Sequence, residues 1–194
     1  AKTREAMLKN GDVDYFVASY SITDERKKVV GFAGPYFVAG QDLLVRKDEK
    51  NIKGPQDLNG KRLCSMTGST SAVNVKQKFA QHTQLMEQPG MAECATALLS
   101  GIVDAATTDD IILAGLASAS RGRIRVVGNP FTREYYGVGV QKGNTELKNK
   151  INAAIRDMEK DGSWQRFVDD NTKGVDYTPN PKYNPPVPNG KGNK

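Results

Sequence analysis

A chain of 194 residues with 38% apolar and 26% charged side chains has enough material for one large core or two small ones. No apolar run approaches the roughly 18 residues of a membrane-spanning helix. The net charge of +6 is scattered and interleaved with acids, which excludes the clustered basic face of a nucleic-acid binder. Two cysteines and one histidine are too few for a zinc site of the usual spacing, so no metal is expected.

The chain opens at Ala1 in a helix-like stretch, the start expected of a processed or trimmed product, with Gly11 as its left-handed cap. Val13 to Ala18 reads as a buried strand that ends in small hydroxyl residues, and Val38 to Arg46 as one long strand. Strand 61–66 leads into Thr67-Gly-Ser-Thr-Ser71 and a helix to about 81. A strand near 84–88, a helix at 92–99 stopped by Gly101, and strand 102–107 follow. Asp109-Asp110 then opens a helix, and strands are expected at 124–127 and 137–141. Leu147, Ile151, Ala154, Ile155 and Met158 share one face of the helix after Asn144, which Gly162 stops. The last 19 residues hold five prolines and read as an extended tail.

Strands alternating with helices argue for a mostly parallel α/β sheet. Asn10-Gly-Asp-Val-Asp-Tyr-Phe-Val-Ala-Ser19 also echoes Ser100-Gly-Ile-Val-Asp-Ala-Ala-Thr-Thr-Asp109, which suggests two related lobes. The plain alternative is that Gly-x-Val-Asp is a common helix-to-strand corner. Ligands in open α/β sheets gather beyond the carboxyl ends of strands, which would put Ser19 and Asp109 at equivalent corners.

Ser19 to Tyr36 is the most telling stretch. Hydroxyls at a strand end with Arg26 seven residues on make a receptor for a carboxylate, because a planar guanidinium holds both oxygens at once. Gly68-Ser-Thr-Ser71 before a helix supplies an N-cap and N–H groups that attract an anion. The Gly-Lys-Ser/Thr ending of a phosphate loop is absent, and Gly137-Val-Gly-Val-Gln-Lys-Gly143 lacks the dinucleotide spacing. One of Asp109 and Asp110 can cap the following helix and leave the other for a cation. An anion site and a cation site in one cleft describe an α-amino acid. Cys64 and Cys94, if bonded, close a loop worth about 3–4 kcal/mol and place the chain in an oxidising compartment; the alternative is two reduced core thiols.

In combination, Ser-Ile-Thr-Asp-Glu-Arg with Phe-Ala-Gly-Pro-Tyr, Gly-Ser-Thr-Ser, Thr-Thr-Asp-Asp-Ile-Ile-Leu-Ala-Gly and Asn-Pro-Phe-Thr-Arg-Glu-Tyr-Tyr-Gly-Val-Gly-Val resemble the polar amino-acid-binding proteins of bacterial ABC importers, family 3. The nearest branch is the glutamate-binding one of Gram-positive actinobacteria, including the Cys64/Cys94 pair and the Pro-rich tail. The resemblance implies a two-lobed α/β fold of the type II periplasmic-binding-protein kind, with lobe one (1–42 and 138–175) incomplete at its N-terminus. Lobe two would be 43–137, with crossing strands near 39–45 and 131–138 and a tail at 176–194.

It further implies that Arg26, Ser21 and Thr70 grip the α-carboxylate, Ser19 and Asp109 take the α-amino group, and Ser69 lines the cleft. Glutamate, glutamine or aspartate would be captured for the importer's permease subunits outside the cell membrane, with a lipid anchor on a further N-terminal segment. A second copy or partner is the other way to complete lobe one. Neither cofactor nor catalysis is expected. An enzyme on the same fold, such as a cyclohexadienyl or arogenate dehydratase, would need Glu134 or Asp110 as general acid; a receptor's sensor domain is a third reading.

Overall fold

The computed structural model describes residues 3–188, which divide into two compact units: Gly40–Arg133 with Gly174–Tyr177, and Thr3–Ala39 with Glu134–Lys173 and the segment from Thr178. The end of the expected tail, 189–194, lies outside the described residues.

The first unit is built on five strands. They are β3 (Gln41–Arg46), β4 (Arg62–Met66), β5 (Gln84–Gln88), β6 (Ala105–Asp109) and β7 (Ile124–Val126), in the order β5-β4-β6-β3-β7. Helices α3 (Ser71–Lys78), α4 (Met91–Leu99) and α5 (Asp110–Ala119) connect them. Successive strand side chains point to opposite faces, and both faces are apolar here. Leu43, Val45, Leu63 and Ala105 enter one core with Val75 of α3. Leu44, Cys64 and Ala106 enter the other with Leu98 of α4 and Leu113 of α5. Cys64 and Cys94 are joined in a disulfide that ties β4 to α4.

The second unit has three strands, β1 (Tyr15–Phe16), β2 (Val30–Ala39) and β8 (Glu134–Gln141), in the order β1-β8-β2. Helix α1 (Arg4–Asn10) precedes β1, and the four-residue α2 (Asp24–Lys27) precedes β2. Helices α6 (Thr145–Lys160) and α7 (Ser163–Thr172) follow β8. Leu8, Tyr20, Val30 and Phe32 form the core. Trp164 of α7 stacks on Phe37 and donates its indole N–H to the Tyr36 carbonyl at 2.7 Å. Past Tyr177 the chain stays tied to this unit: Asn184 accepts from the Val38 N–H and donates to its carbonyl, both at 2.9 Å.

Three expectations are corrected. The sheets are mixed rather than mostly parallel: β4 runs parallel to β5 and β6, while β3 runs antiparallel to β6 and β7, and the three-stranded sheet is wholly antiparallel. Val13–Ala18 is not a buried strand. Only Tyr15 and Phe16 pair, with β8 alone, and Tyr15 and Val17 stay 53% and 57% exposed because nothing covers an edge strand there among the described residues. Finally, Val38–Arg46 is broken at Gly40 into strands of different sheets. A side chain at Gly40 would meet the Pro130 Cβ at 2.6 Å, so only glycine lets the two segments approach.

Candidate functional site

The six residues singled out above fall three in each unit. In the three-stranded unit, α2 begins where Thr23 Oγ1 accepts the Arg26 N–H at 3.2 Å. Acidic Asp24 and Glu25 open this short helix and basic Arg26 and Lys27 close it, the order its dipole favours. The Arg26 guanidinium donates from Nη1 to the Ser21 carbonyl at 2.8 Å, and its Nε lies 3.5 Å from Glu5 Oε1. Its side chain is 11% exposed. Ser21 is buried, held by a bridge to Tyr136. Ser19, two residues earlier, is exposed.

Beneath Arg26 lies a group that sequence reasoning missed. Tyr20 is fully buried, donates its hydroxyl to Glu5 Oε1 at 2.9 Å, and has the Arg4 guanidinium 3.8 Å and that of Arg26 5.1 Å from its ring centre. Burial, and then the bond to Glu5, hold the Tyr20 phenol well above its usual range. Burial and the nearby Arg4 charge lower the pKa of Arg26, while Glu5 and Glu134 oppose that shift. An arginine held mostly buried over an aromatic ring keeps little freedom to lose on meeting an anion. Arg4 and Glu5 belong to α1 and Tyr20 to the connection between β1 and α2, so only the packing brings them into a cluster.

In the five-stranded unit, the turn after β4 passes through the left-handed Gly68 into Ser69 and Thr70. Ser69 Oγ lies 3.1 Å from Ser65 Oγ, which also reaches the Thr107 carbonyl at 3.0 Å. Thr70 is the N-cap of α3, yet its hydroxyl makes no capping bond, which leaves the first-turn N–H groups without a side-chain cap. Asp109, 6% exposed, ends β6 at the N-cap position of α5, also without a side-chain capping bond. Its neighbour serves the helix start: Asp110 Oδ1 accepts the Ile111 N–H at 2.8 Å, and its own N–H donates to the Gly40 carbonyl at 2.7 Å. Burial raises the Asp110 pKa, against backbone donors and the Tyr177 hydroxyl that pull it down.

Strands β4 and β6 are adjacent and parallel. Ser69 and Thr70, which follow β4, and Asp109, which ends β6, are therefore carried at the same edge of one sheet, the carboxyl edge where α/β folds hold ligands. The chemistry on this edge is an uncapped helix start suited to an anion beside a buried carboxylate suited to a cation.

Residues 1–172 match the model of the bacterial extracellular solute-binding proteins, family 3. The chain belongs to this family. Among family members, it is 47% identical over 174 residues to the glutamate-binding protein GluB of Corynebacterium efficiens, covering 87% of this chain and 59% of that protein. It is 45% identical over 168 residues to the glutamine-binding protein GlnH of Bacillus subtilis, covering 86% and 60%. The chain thus spans about three-fifths of the length of these solute-binding relatives. An ancestral arginine-binding protein solved with glutamine superposes with a TM-score of 0.82 at 36% identity, covering 87% of this chain and 75% of that one. An ancestral amino-acid-binding protein described as a precursor of cyclohexadienyl dehydratase gives 0.77 at 30% identity, covering 87% and 72%.

Proposed function

We propose that this chain is the ligand-capturing part of an extracytoplasmic binding protein that delivers glutamate or glutamine to the permease of an ABC importer. The observation that carries the reading is the shared sheet edge of the five-stranded unit, where the Ser69–Thr70 helix start and the buried Asp109 stand at the ends of adjacent parallel strands. An anion site and a cation site on neighbouring strand ends match the two charges of an α-amino acid. In this reading Thr70 and the α3 N–H groups of the five-stranded unit take the α-carboxylate, Asp109 takes the ammonium and Ser69 lines the site. The three-stranded unit offers Arg26 and Ser21 for a carboxylate and Ser19 for an ammonium. Relatives named for glutamate and for glutamine support a short polar ligand of either kind.

Capture without turnover fits the two candidate acids. Asp110 is committed to the start of α5 by its bond to the Ile111 N–H. Glu134 is buried at the first residue of β8 and enters the electrostatic surroundings of Arg26. A thermal-shift screen of the twenty amino acids on the full-length protein tests the proposal. Glutamate or glutamine is expected to raise the midpoint most. An unmoved midpoint with all twenty, or a dehydrated product from a cyclohexadienyl substrate, would sink it.

A further inference from the structure

Gln41 has no place among the site residues, yet it is fully buried and every polar atom of its side chain is engaged. Its Nε2 donates to the Ser71 carbonyl at 2.8 Å and to Thr107 Oγ1 at 2.9 Å, and its Oε1 accepts from Asn74 Nδ2 at 3.2 Å. Ser71 and Asn74 belong to the first turn of α3, directly after Thr70. Across the sheet, Gln41 is the register partner of Asp109. Its backbone is also fixed on both sides: the Gln41 N–H donates to Thr132 Oγ1 at 3.1 Å, and its carbonyl accepts the Phe131 N–H at 2.9 Å.

A single side chain therefore connects the strand that faces Asp109 to the helix start that follows Thr70. We propose that Gln41 is a positioning residue that sets the spacing between the ammonium-binding Asp109 and the carboxylate-binding start of α3, and so selects α-amino acids over homologues with one more carbon between their charges. The inference rests on the amino-acid reading above and adds a specificity determinant to it. A buried amide with three bonds to two neighbouring elements, α3 and β6, is stiff, because any shift of α3 leaves a donor or an acceptor unpaired. Stiffness matters here because a misplacement of about 1 Å between fixed charges costs binding steeply.

The test compares L-glutamate and L-glutamine with L-β-homoglutamate and L-β-homoglutamine by titration calorimetry on the full-length protein. Wild type is expected to prefer the α-amino acids. Gln41→Met keeps the volume and deletes the bonds; it is expected to shrink that preference about tenfold or more, a loss of ~1.4 kcal/mol of discrimination. Asn74→Ala, on the half-exposed side of the helix, removes only the bond to Oε1 and is expected to shrink it by a smaller factor of about 3.

Thr107→Val removes another partner of Gln41 while sparing the Ser71 bond. By cutting the side-chain tie to β6, the strand that carries Asp109, it is expected to shrink the preference about as much as Asn74→Ala does. An unchanged preference in both variants overturns the proposal. If Gln41→Met lowers the melting temperature but keeps the wild-type preference, the amide is merely structural and the proposal is overturned. If Gln41→Met does not fold, Asn74→Ala and Thr107→Val decide by that same outcome. Absence of binding by the wild type, in contrast, overturns the amino-acid reading itself.

Discussion

Each unit contains the same helix-to-strand corner, and the two corners differ in what covers them. In each, a helix ends in a left-handed glycine, Gly11 or Gly101, whose N–H donates to the carbonyl three residues back. In each, the next N–H donates five residues back, Asp12 to Met7 and Ile102 to Ala97, both at 2.9 Å. The strand then begins at the equivalent residue, Tyr15 or Ala105. From there the paths diverge. β6 lies between β3 and β4, and Ala105, Ala106 and Thr107 are fully buried. Asp104, at its foot, holds the Arg62 guanidinium of β4 at 2.7 and 3.1 Å.

β1 is an edge, Asp14 is exposed, and an apolar groove of about 380 Å³ opens beside Tyr15 and Val17 against Ile151 and Met158 of α6. The antiparallel trio β1-β8-β2 corresponds to β6-β3-β7, and it is the parallel pair β4-β5 that has no counterpart among the described residues. The lesson is that one local signal builds a core strand or an exposed ribbon, depending on whether a second strand lies alongside.

The disulfide gives the largest lever on this contrast, since it staples only the five-stranded unit. Replacing Cys64 and Cys94 together by alanine is expected to cost about 3–4 kcal/mol through the freed loop. Trp164, the single tryptophan, sits in the other unit and reports on it alone. Denaturation followed by circular dichroism is expected to shift to lower denaturant than Trp164 fluorescence; coincident shifts would show that the two units unfold together.

Next comes a pH effect confined to the five-stranded unit. Asp42 is buried, and burial pushes its carboxyl up to about 6 although the Leu43 and Gly128 N–H groups donate to it. A folded-state pKa raised from 3.8 means that the folded form holds the proton more tightly, so this stability is fully present below about pH 4. It is lost as pH rises through 6, by about 2–3 kcal/mol. Asp42→Asn is expected to flatten that segment of the stability–pH curve. An unchanged difference between pH 4 and pH 8 would place the titration elsewhere.

The proposed binding residues provide a third comparison. Arg26→Ala in one unit and Asp109→Asn in the other are each expected to weaken amino-acid binding by more than about tenfold, because each leaves a desolvated charge of the ligand unpaired. Titration calorimetry reads both. Equal affinity for either variant removes that residue from the site, and a loss confined to one would mean that a single unit carries recognition.

The smallest effect concerns the tail. Asn184→Ala deletes both bonds to Val38 and is expected to cost about 1–2 kcal/mol, seen by Trp164 fluorescence and not by probes of the five-stranded unit. Equal shifts in both probes would deny that the tail acts locally.

What lay open in the primary structure was whatever depends on neighbours a few residues apart. The helix at Thr145–Lys160 followed from its apolar stripe and the glycine stops from their position after periodic runs; helices do start after Thr70 and Asp109, but neither side chain makes the capping bond expected there. The family followed as well, because its motifs are short and contiguous. What tertiary structure alone decided was burial, pairing and sheet membership. It left Val13–Ala18 uncovered, split one apolar run at Gly40 where another segment passes too close for a side chain, and joined Arg4, Glu5, Tyr20 and Arg26 around one ring. It also turned Gln41, an ordinary polar residue in an apolar strand, into the tie between β3, β6 and α3. The physical reason is that a residue's local preferences act through its own backbone, whereas its cover and its hydrogen-bond partners come from segments tens of residues away.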